Sequence, residues 1–416
     1  MTSTNLETIA RKITAVLFAQ QSLASAGFIA ASTLNSIVGK ELTHNASWAG
    51  VPTASYQLAA AFSAFLWGYV YDAIGRRNGL TLGLISGTFG SGVAFYAIAH
   101  QSFPLFLFGL VFMGFANAAV QLGRFAAAEV NKPEHRGRAI SNVVIGGTVG
   151  SVVGPFVAGP GGALVRSWGM NELAGAYLIV SILFAIGALV VFSSLRPDPR
   201  EIGKQVAEQF PETVVTHTHE RGLSEIFRQP AALVALASMV FGQMVMVLVM
   251  VITSLHMRGH HHELTDISAV IASHTFGMYA FSIFSGRLSD KWGRGPVILT
   301  GSITLVVACV SATFSPDVIP LGIALFLLGL GWNFCFVGGS ALLADQLSPV
   351  ERARTQGFND LLVGLAAALG SLSSGFIFAS LGYNVMAYIS AALALIPLIS
   401  AAVWMMRKSA SSQPAS

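Results

Sequence analysis

Twelve apolar runs divide the sequence, at about 13–39, 48–71, 79–99, 104–128, 139–160, 173–195, 230–255, 264–286, 296–314, 318–343, 357–380 and 384–406. A bilayer core of about 30 Å is crossed by about 20 apolar residues in a helix, so each run is long enough to span. Lipid offers backbone N–H and C=O groups no partners, and a helix satisfies them within one segment. The runs therefore predict an all-α integral membrane protein with twelve transmembrane helices. Charge points the same way. Asp, Glu, Lys and Arg make up 10% of the 416 residues, against roughly 25% in soluble domains, too few to cover a soluble fold of this size. The first run is too long for a signal peptide and has no small-residue cleavage site. Cys309 and Cys335 both lie in apolar runs, so no disulfide framework is implied.

The basic residues set the orientation. With the N-terminus in the cytoplasm, twenty of the twenty-three Lys and Arg residues fall on the cytoplasmic side, and Lys40, Arg166 and Arg258 fall outside. Both termini are then cytoplasmic. The pI near 9.2 has a topological origin and implies no nucleic acid. One long polar connection, 196–229, contains Pro197, Pro199, Pro211, His217 and His219. It separates two six-helix halves, 1–195 and 230–416, and a short amphipathic helix is expected near 222–229. The tails 1–10 and 409–416 read as disordered.

The halves repeat each other. Gly68-Tyr-Val-Tyr-Asp72-Ala-Ile-Gly75-Arg76-Arg77 recurs 218 residues later as Gly286-Arg-Leu-Ser-Asp290-Lys-Trp-Gly293-Arg294. Pro133-Glu-His-Arg136 recurs after 216 residues as Pro349-Val-Glu-Arg352, and at that shift Glu129 matches Asp345, Asn117 matches Asn333 and Gly154 matches Gly370. Duplicated six-helix halves with a binding site near the midplane are a recurrent transporter plan. The loop Gly-x-x-x-Asp-x-x-Gly-Arg-Arg and its second copy resemble the signature of the major facilitator superfamily. The resemblance covers nearly the whole chain and implies transport by alternating access. Gly68 and Gly286 are expected to let helices approach closely. Asp72 and Asp290 are expected at a helix N-terminus of the opposite half, where a carboxylate is favoured. Arg76 and Arg294 are expected to pair with Glu129 and Asp345, so that the two turns form a cytoplasmic latch. The plain alternative is a basic turn with a capping acid.

The fifth run reads Gly146-Gly147-Thr-Val-Gly150-Ser-Val-Val-Gly154-Pro155-Phe-Val-Ala158-Gly159. Gly146, Gly150 and Gly154 share one helix face, and Pro155 removes a backbone donor and bends the helix. This is similar to the Gly-x-x-x-Gly-Pro motif of the proton-coupled exporters of the superfamily and implies efflux. Ordinary small-residue packing is the alternative. Leu110 stands where that branch carries a fourth-span arginine, and the first span has Gln20, Gln21 and Asn35 but no carboxylate.

Polar groups in apolar runs are costly and often face a cavity. Gln21, Gln57, Asn117, Gln121, Gln243, Trp332 and Asn333 are the candidate cavity residues, with interhelical packing as the other reading. Gln20, Arg124, Asn142 and Asn359 are further buried polar groups; Arg124 is read as an ion-pair or interfacial residue. With no acid in the first span, His274 and Asp360 are the candidates for carrying a coupling proton. His256, His260, His261 and His262 sit in the outer connection after the seventh run. They suit a transition metal or a solvated loop equally in type, and no metal site is assigned. No cofactor is expected.

Three function classes compete: a secondary transporter, a membrane enzyme, and a sensor that kept a transporter fold. No nucleotide-binding motif, His-Glu-x-x-His pair or thiol–His arrangement is present in the sequence, which argues against the enzyme. Two intact charged turns argue against the sensor. The expected partners are a small organic substrate, the bilayer and protons, and the expected state is a monomer. Proton-coupled export is the first reading, uptake of a small organic solute the second and metal export the third.

Overall fold

The computed structural model describes residues 3–132, 135–209 and 221–411. Pro133, Glu134, Pro211, His217 and His219 lie outside them, as does 412–416. The fold is all-α among the described residues. The helices are α1 (Ser3–Thr43), α2 (Val51–Ile74), α3 (Arg76–Ala99), α4 (Phe103–Glu129), α5 (Arg136–Val153), α6 (Ala158–Arg166), α7 (Glu172–Ser194), α8 (Pro199–Gln209), α9 (Leu223–Ile226), α10 (Pro230–Gly259), α11 (Leu264–Tyr279), α12 (Ser282–Trp292), α13 (Arg294–Ser311), α14 (Val318–Ala344) and α15 (Pro349–Ser411). Within α15, Gly382 adopts φ 80 and ψ 174, a left-handed value that breaks the helix in two. The twelve apolar runs each correspond to helical chain. The N-terminal tail departs from expectation: α1 is helical from Ser3, and Leu6 and Ala10 are buried.

Two compact units form, Met1–His44 with Ser55–Val215, and Asn45–Ala54 with Thr216–Ser416. In the first, α1 packs on α5 and α7, and α3 lies against α4 and α7. Hydrogen bonds join these helices where a polar side chain is buried: Tyr177 Oη donates to Asn35 Oδ1 at 2.7 Å and Tyr71 Oη to the carbonyl of Ala119 at 2.7 Å. In the second, α10 packs on α14 and α15, and α14 on α11 and α13. The short segment Asn45–Ala54 belongs to this unit, with Ser371 Oγ donating to the Gly50 carbonyl at 2.7 Å.

A close backbone contact in the first unit is the seam between α1 and α5. A Cβ at Gly146 would meet the Phe18 carbonyl oxygen at 2.6 Å, one at Gly150 the Ser22 oxygen at 2.0 Å, and one at Gly154 the Ala26 oxygen at 2.5 Å. Three glycines four residues apart thus press against three carbonyls four residues apart. Pro155 then cannot donate, and the helix tightens into a 3-10 turn over Gly154–Val157 before resuming as α6. Gly68 and Gly286 are different. A Cβ at either would meet nothing within 4 Å, so the close approach expected of them is not present in this conformation.

Two further departures have clear causes. The eighth run is broken between α11 and α12, at Ala280 and Phe281. The carbonyl of Met278, freed by the break, accepts from Asn333 Nδ2 at 2.6 Å, and the same nitrogen donates to Ser282 Oγ at 2.9 Å. Ser285 Oγ donates to Asn333 Oδ1. The linker also holds an unexpected helix, α8, which starts on Pro199 and buries Ile202 and Val206, one turn apart. The amphipathic helix expected at 222–229 is a single turn, Leu223–Ile226.

The seam yields a direct test. Backbone cannot move aside as a side chain does, so Gly150→Leu is expected to abolish folded yield, whereas Val153→Leu, at an exposed position on the same helix, is expected to leave it unchanged. Monodisperse yield in detergent reads the difference; normal yield of Gly150→Leu overturns the packing argument.

Candidate functional site

The two charged turns are built alike. Gly75 stands at φ 86, ψ 168 and Gly293 at φ 94, ψ 161, immediately before α3 and α13. An L side chain is strained there, which explains why both copies keep glycine. The bend returns Arg76 and Arg294 towards the acids one turn earlier. Arg76 Nη1 donates to Asp72 Oδ1 at 2.9 Å, and its Nε and Nη2 form a bidentate pair with Glu129 at 3.0 and 2.8 Å. Arg294 Nη1 donates to Asp290 Oδ1 at 2.7 Å and Nε to Asp345 Oδ2 at 3.0 Å. Asp72 and Asp290 are thus bonded within their own turns. Arg77 turns away, donating from Nε to the Phe192 carbonyl at 3.0 Å with its guanidinium over the Phe192 ring.

The turns differ in what caps the following helix. In the first, Asp198 reaches in from the linker and its carboxylate accepts from the backbone N–H groups of Arg76 at 3.2 Å and Arg77 at 3.0 Å. It also accepts from Arg200 N at 2.8 Å, so one side chain caps α3 and α8 together. At Gly293 no side chain among the described residues accepts from the first N–H groups of α13. The second unit carries another clamp. Arg221 holds Glu351 through Nε at 2.9 Å and Nη2 at 2.8 Å, and Glu351 also accepts from the backbone of Ser348 and Arg221. These bonds hold the Glu351 carboxyl well below the usual carboxylate range, the Arg221 guanidinium first among the causes. The sequence reading named neither Asp198 nor Glu351. The Pro197-Asp198-Pro199 triplet, an acid in a stiff turn before a helix start, was the available signal.

The candidate cavity residues divide into partnered and unpartnered groups. In the second unit Trp332 Nε1 donates to Gln243 Oε1 at 2.7 Å, and the indole stacks on Phe336 with ring centres 5.0 Å apart. Tyr279 meets Trp332 edge-on at 6.3 Å. These side chains make one aromatic wall with an amide at its edge. Asn333 lies beside it but is 1% exposed and wholly engaged in the α11–α12 break, so it staples helices and does not line a cavity. Its repeat partner Asn117 is half-buried and makes no hydrogen bond among the described residues, and Gln57, also half-buried, and Gln121, exposed, share that condition. Gln21 is buried and its Nε2 donates to Ser25 Oγ at 3.3 Å. Gly159 lies half-buried in α6, beyond the seam.

His274 is fully buried, with Nδ1 2.9 Å from the Leu325 carbonyl and Nε2 without a partner. A carbonyl only accepts, so Nδ1 carries a hydrogen in this arrangement. Asp360 is exposed, next to Asn359, whose Nδ2 lies 3.4 Å from its Oδ1. His256 stacks on Tyr383 with centres 4.0 Å apart, and His262 pairs with Asp266 at 3.7 Å. Among the described residues no group of three His, Cys, Asp or Glu side chains is arranged to hold a metal.

The sequence matches the family model of the Major Facilitator Superfamily over residues 16–263 and 235–416. The uncharacterised MFS-type transporter YdeG of Bacillus subtilis (strain 168) is 34% identical over 392 residues, 94% of this chain and 90% of its own. The riboflavin transporter RfnT of Brucella anthropi is 28% identical over 400 residues, 94% and 96% of the two chains. The multi-drug resistance efflux pump PmrA of Streptococcus pneumoniae is 25% identical over 354 residues, 82% of each.

The capping asymmetry predicts an asymmetric response. Asp198→Ala is expected to raise amide hydrogen exchange in peptides covering 74–80 and to cost about 1 kcal/mol of stability, while peptides covering 292–298 stay unchanged. Equal exchange at 74–80 in both proteins would remove Asp198 from the turn.

Proposed function

This chain belongs to the Major Facilitator Superfamily, and we propose that it is a proton-coupled exporter of a small organic compound, with both termini in the cytoplasm of the cell that makes it. It is a multi-pass membrane transporter and, as its relatives are, not an enzyme. The observation that carries export is the α1–α5 seam: three glycines against three carbonyls, followed by Pro155 and the 3-10 turn. It gives structure to the motif that resembles the proton-coupled exporters, and the similarity to an efflux pump supports the same direction. Uptake remains the second reading, with the riboflavin transporter as the relative that bears on substrate type.

The substrate class follows from the side chains. Trp332, Phe336 and Tyr279 offer ring faces and edges, and Gln243 an amide. A compound with a flat apolar portion and a polar substituent matches this set. The charged turns act as the latch: Arg76 and Arg294 each hold an acid of their own turn and one at the end of α4 or α14, so a small movement of either helix changes two ion pairs at once. The protein works as a monomer.

Protons need a titratable group that they can reach; Asp360 is exposed, whereas His274 is fully buried. In proteoliposomes, Asp360→Asn is expected to abolish transport driven by a pH gradient yet spare counterflow of labelled substrate, because exchange moves no net proton. His274→Gln is expected to keep gradient-driven transport. Gradient-driven transport by Asp360→Asn at the wild-type rate overturns this assignment. A wild-type rate that ignores the gradient overturns proton coupling itself.

A further inference from the structure

The glycine seam between α1 and α5 ends at Gly146. One and two turns further towards the basic end, the same face of α5 carries Asn142 and Arg138 in place of glycine, opposite Thr14 and Ala10 of α1. Side chains of that size cannot enter a contact that admits no Cβ, so the helices part. The space between them is a cavity of about 610 Å³, closed at its base by residues 130–132, His135 and the end of α8 at Val206 and Gln209. It lies entirely within the first unit.

Its lining is divided by chemistry. Arg11, Lys132 and Arg138 bring three cations to it and Glu7 one carboxylate. Lys132 Nζ is paired with Glu7 Oε1 at 2.7 Å, and that acid also lies in the field of Arg11 and His135. Arg138 is exposed and makes no ion pair among the described residues. Among the described residues the lining thus holds more positive charge than its own acid balances, with the amides of Asn131, Asn142 and Gln209 beside it. At the other end the wall is Phe18 and Ile145, and the apolar surface continues along α5: Ile145, Val149 and Val153 are 41%, 49% and 53% exposed, one turn apart.

We infer that this cavity is a binding site for the phosphate group of an anionic phospholipid. The headgroup phosphate sits between Arg11 and Arg138 and the acyl chain runs up the exposed strip of α5. Charge, depth and the adjoining apolar strip match one amphiphile, and a basic recess at the cytoplasmic end of a bundle is where anionic lipid is concentrated. A free phosphate-bearing molecule shares the headgroup chemistry but has no use for the strip, which favours the lipid. The site is separate from the transport reading: it concerns lipid held by the first unit, whatever the substrate.

Purified full-length protein in neutral detergent tests it. Phosphatidylglycerol is expected to raise the unfolding temperature and to remain bound in native mass spectra, and phosphatidylcholine of the same chain length is not. R11Q/R138Q is expected to weaken phosphatidylglycerol binding roughly tenfold or more. K12Q/R407Q removes the same charge from positions outside the cavity and is expected to bind as wild type. Equal loss in both double variants would reduce the effect to general surface charge and overturn the site. Equal binding of phosphatidylcholine would overturn phosphate-charge recognition. Stabilisation by inorganic phosphate alone would overturn the lipid as occupant. Photoreactive phosphatidylglycerol on wild-type protein gives a readout that needs no variant: adducts are expected within 6–18 and 138–153, and adducts solely elsewhere refute the proposal.

Discussion

The contact between α1 and α5 decides much of the first unit. Between two helices in lipid the hydrophobic effect supplies little, so backbones that approach closely are held by dispersion and weak polar contacts. Gly146, Gly150 and Gly154 supply that approach, and each would collide with a carbonyl oxygen if it bore a Cβ. The consequences run in both directions from the seam. Beyond Gly154 the missing donor of Pro155 converts the helix to a 3-10 turn and redirects α6. Before Gly146 the seam ends because Asn142 and Arg138 are too large for it, and a basic recess opens. One stripe of small residues therefore places both the bend and the recess.

The second unit reaches a similar arrangement by other means. Gly370, which matches Gly154, would put a Cβ 3.2 Å from the Met244 carbonyl oxygen, a looser fit than the 2.5 Å at Gly154. The asparagines diverge further. Asn333 spends its amide on the freed carbonyl of Met278 and on two serines, which makes the α11–α12 break affordable in a membrane. Asn117 stands in unbroken helix and has no such duty. The repeat thus keeps position and residue type while the chemistry separates, one copy fixing backbone and the other making no hydrogen bond among the described residues.

The features legible in the sequence were those set by long runs or by charge. Apolar length announced the helices, and Gly75 and Gly293 announced two turns because both adopt positive φ. The pairs Arg76–Glu129 and Arg294–Asp345 followed from matching repeat positions. Features that depend on a distant partner were not legible. The break at 280–281 has no proline to signal it and needs Asn333 from α14, about fifty residues later. Asp198 lies 122 residues from the N–H of Arg76 that it caps. Gly68 and Gly286 are a converse case. Small residues in a motif suggested packing, yet open space surrounds both, because a glycine's fitness for close contact says nothing of what stands opposite it.

The acids show how geometry narrows a choice that composition leaves open. Glu351 is buried and its folded carboxyl titrates below the ordinary carboxylate range. A lowered folded value means the stabilisation is complete above the unfolded value and is lost as pH falls through the folded one. That window lies below any pH a cell imposes across a membrane, so the Arg221–Glu351 clamp stays ionised on both sides of a proton gradient and carries no proton. Asp72, Glu129, Asp290 and Asp345 are each paired with an arginine of a charged turn. Asp360 follows Asn359 in α15 and is exposed. A group that exchanges protons must trade one environment for another during the cycle. A clamped acid does so at the cost of its clamp, as Asp72, Glu129, Asp290 and Asp345 each would.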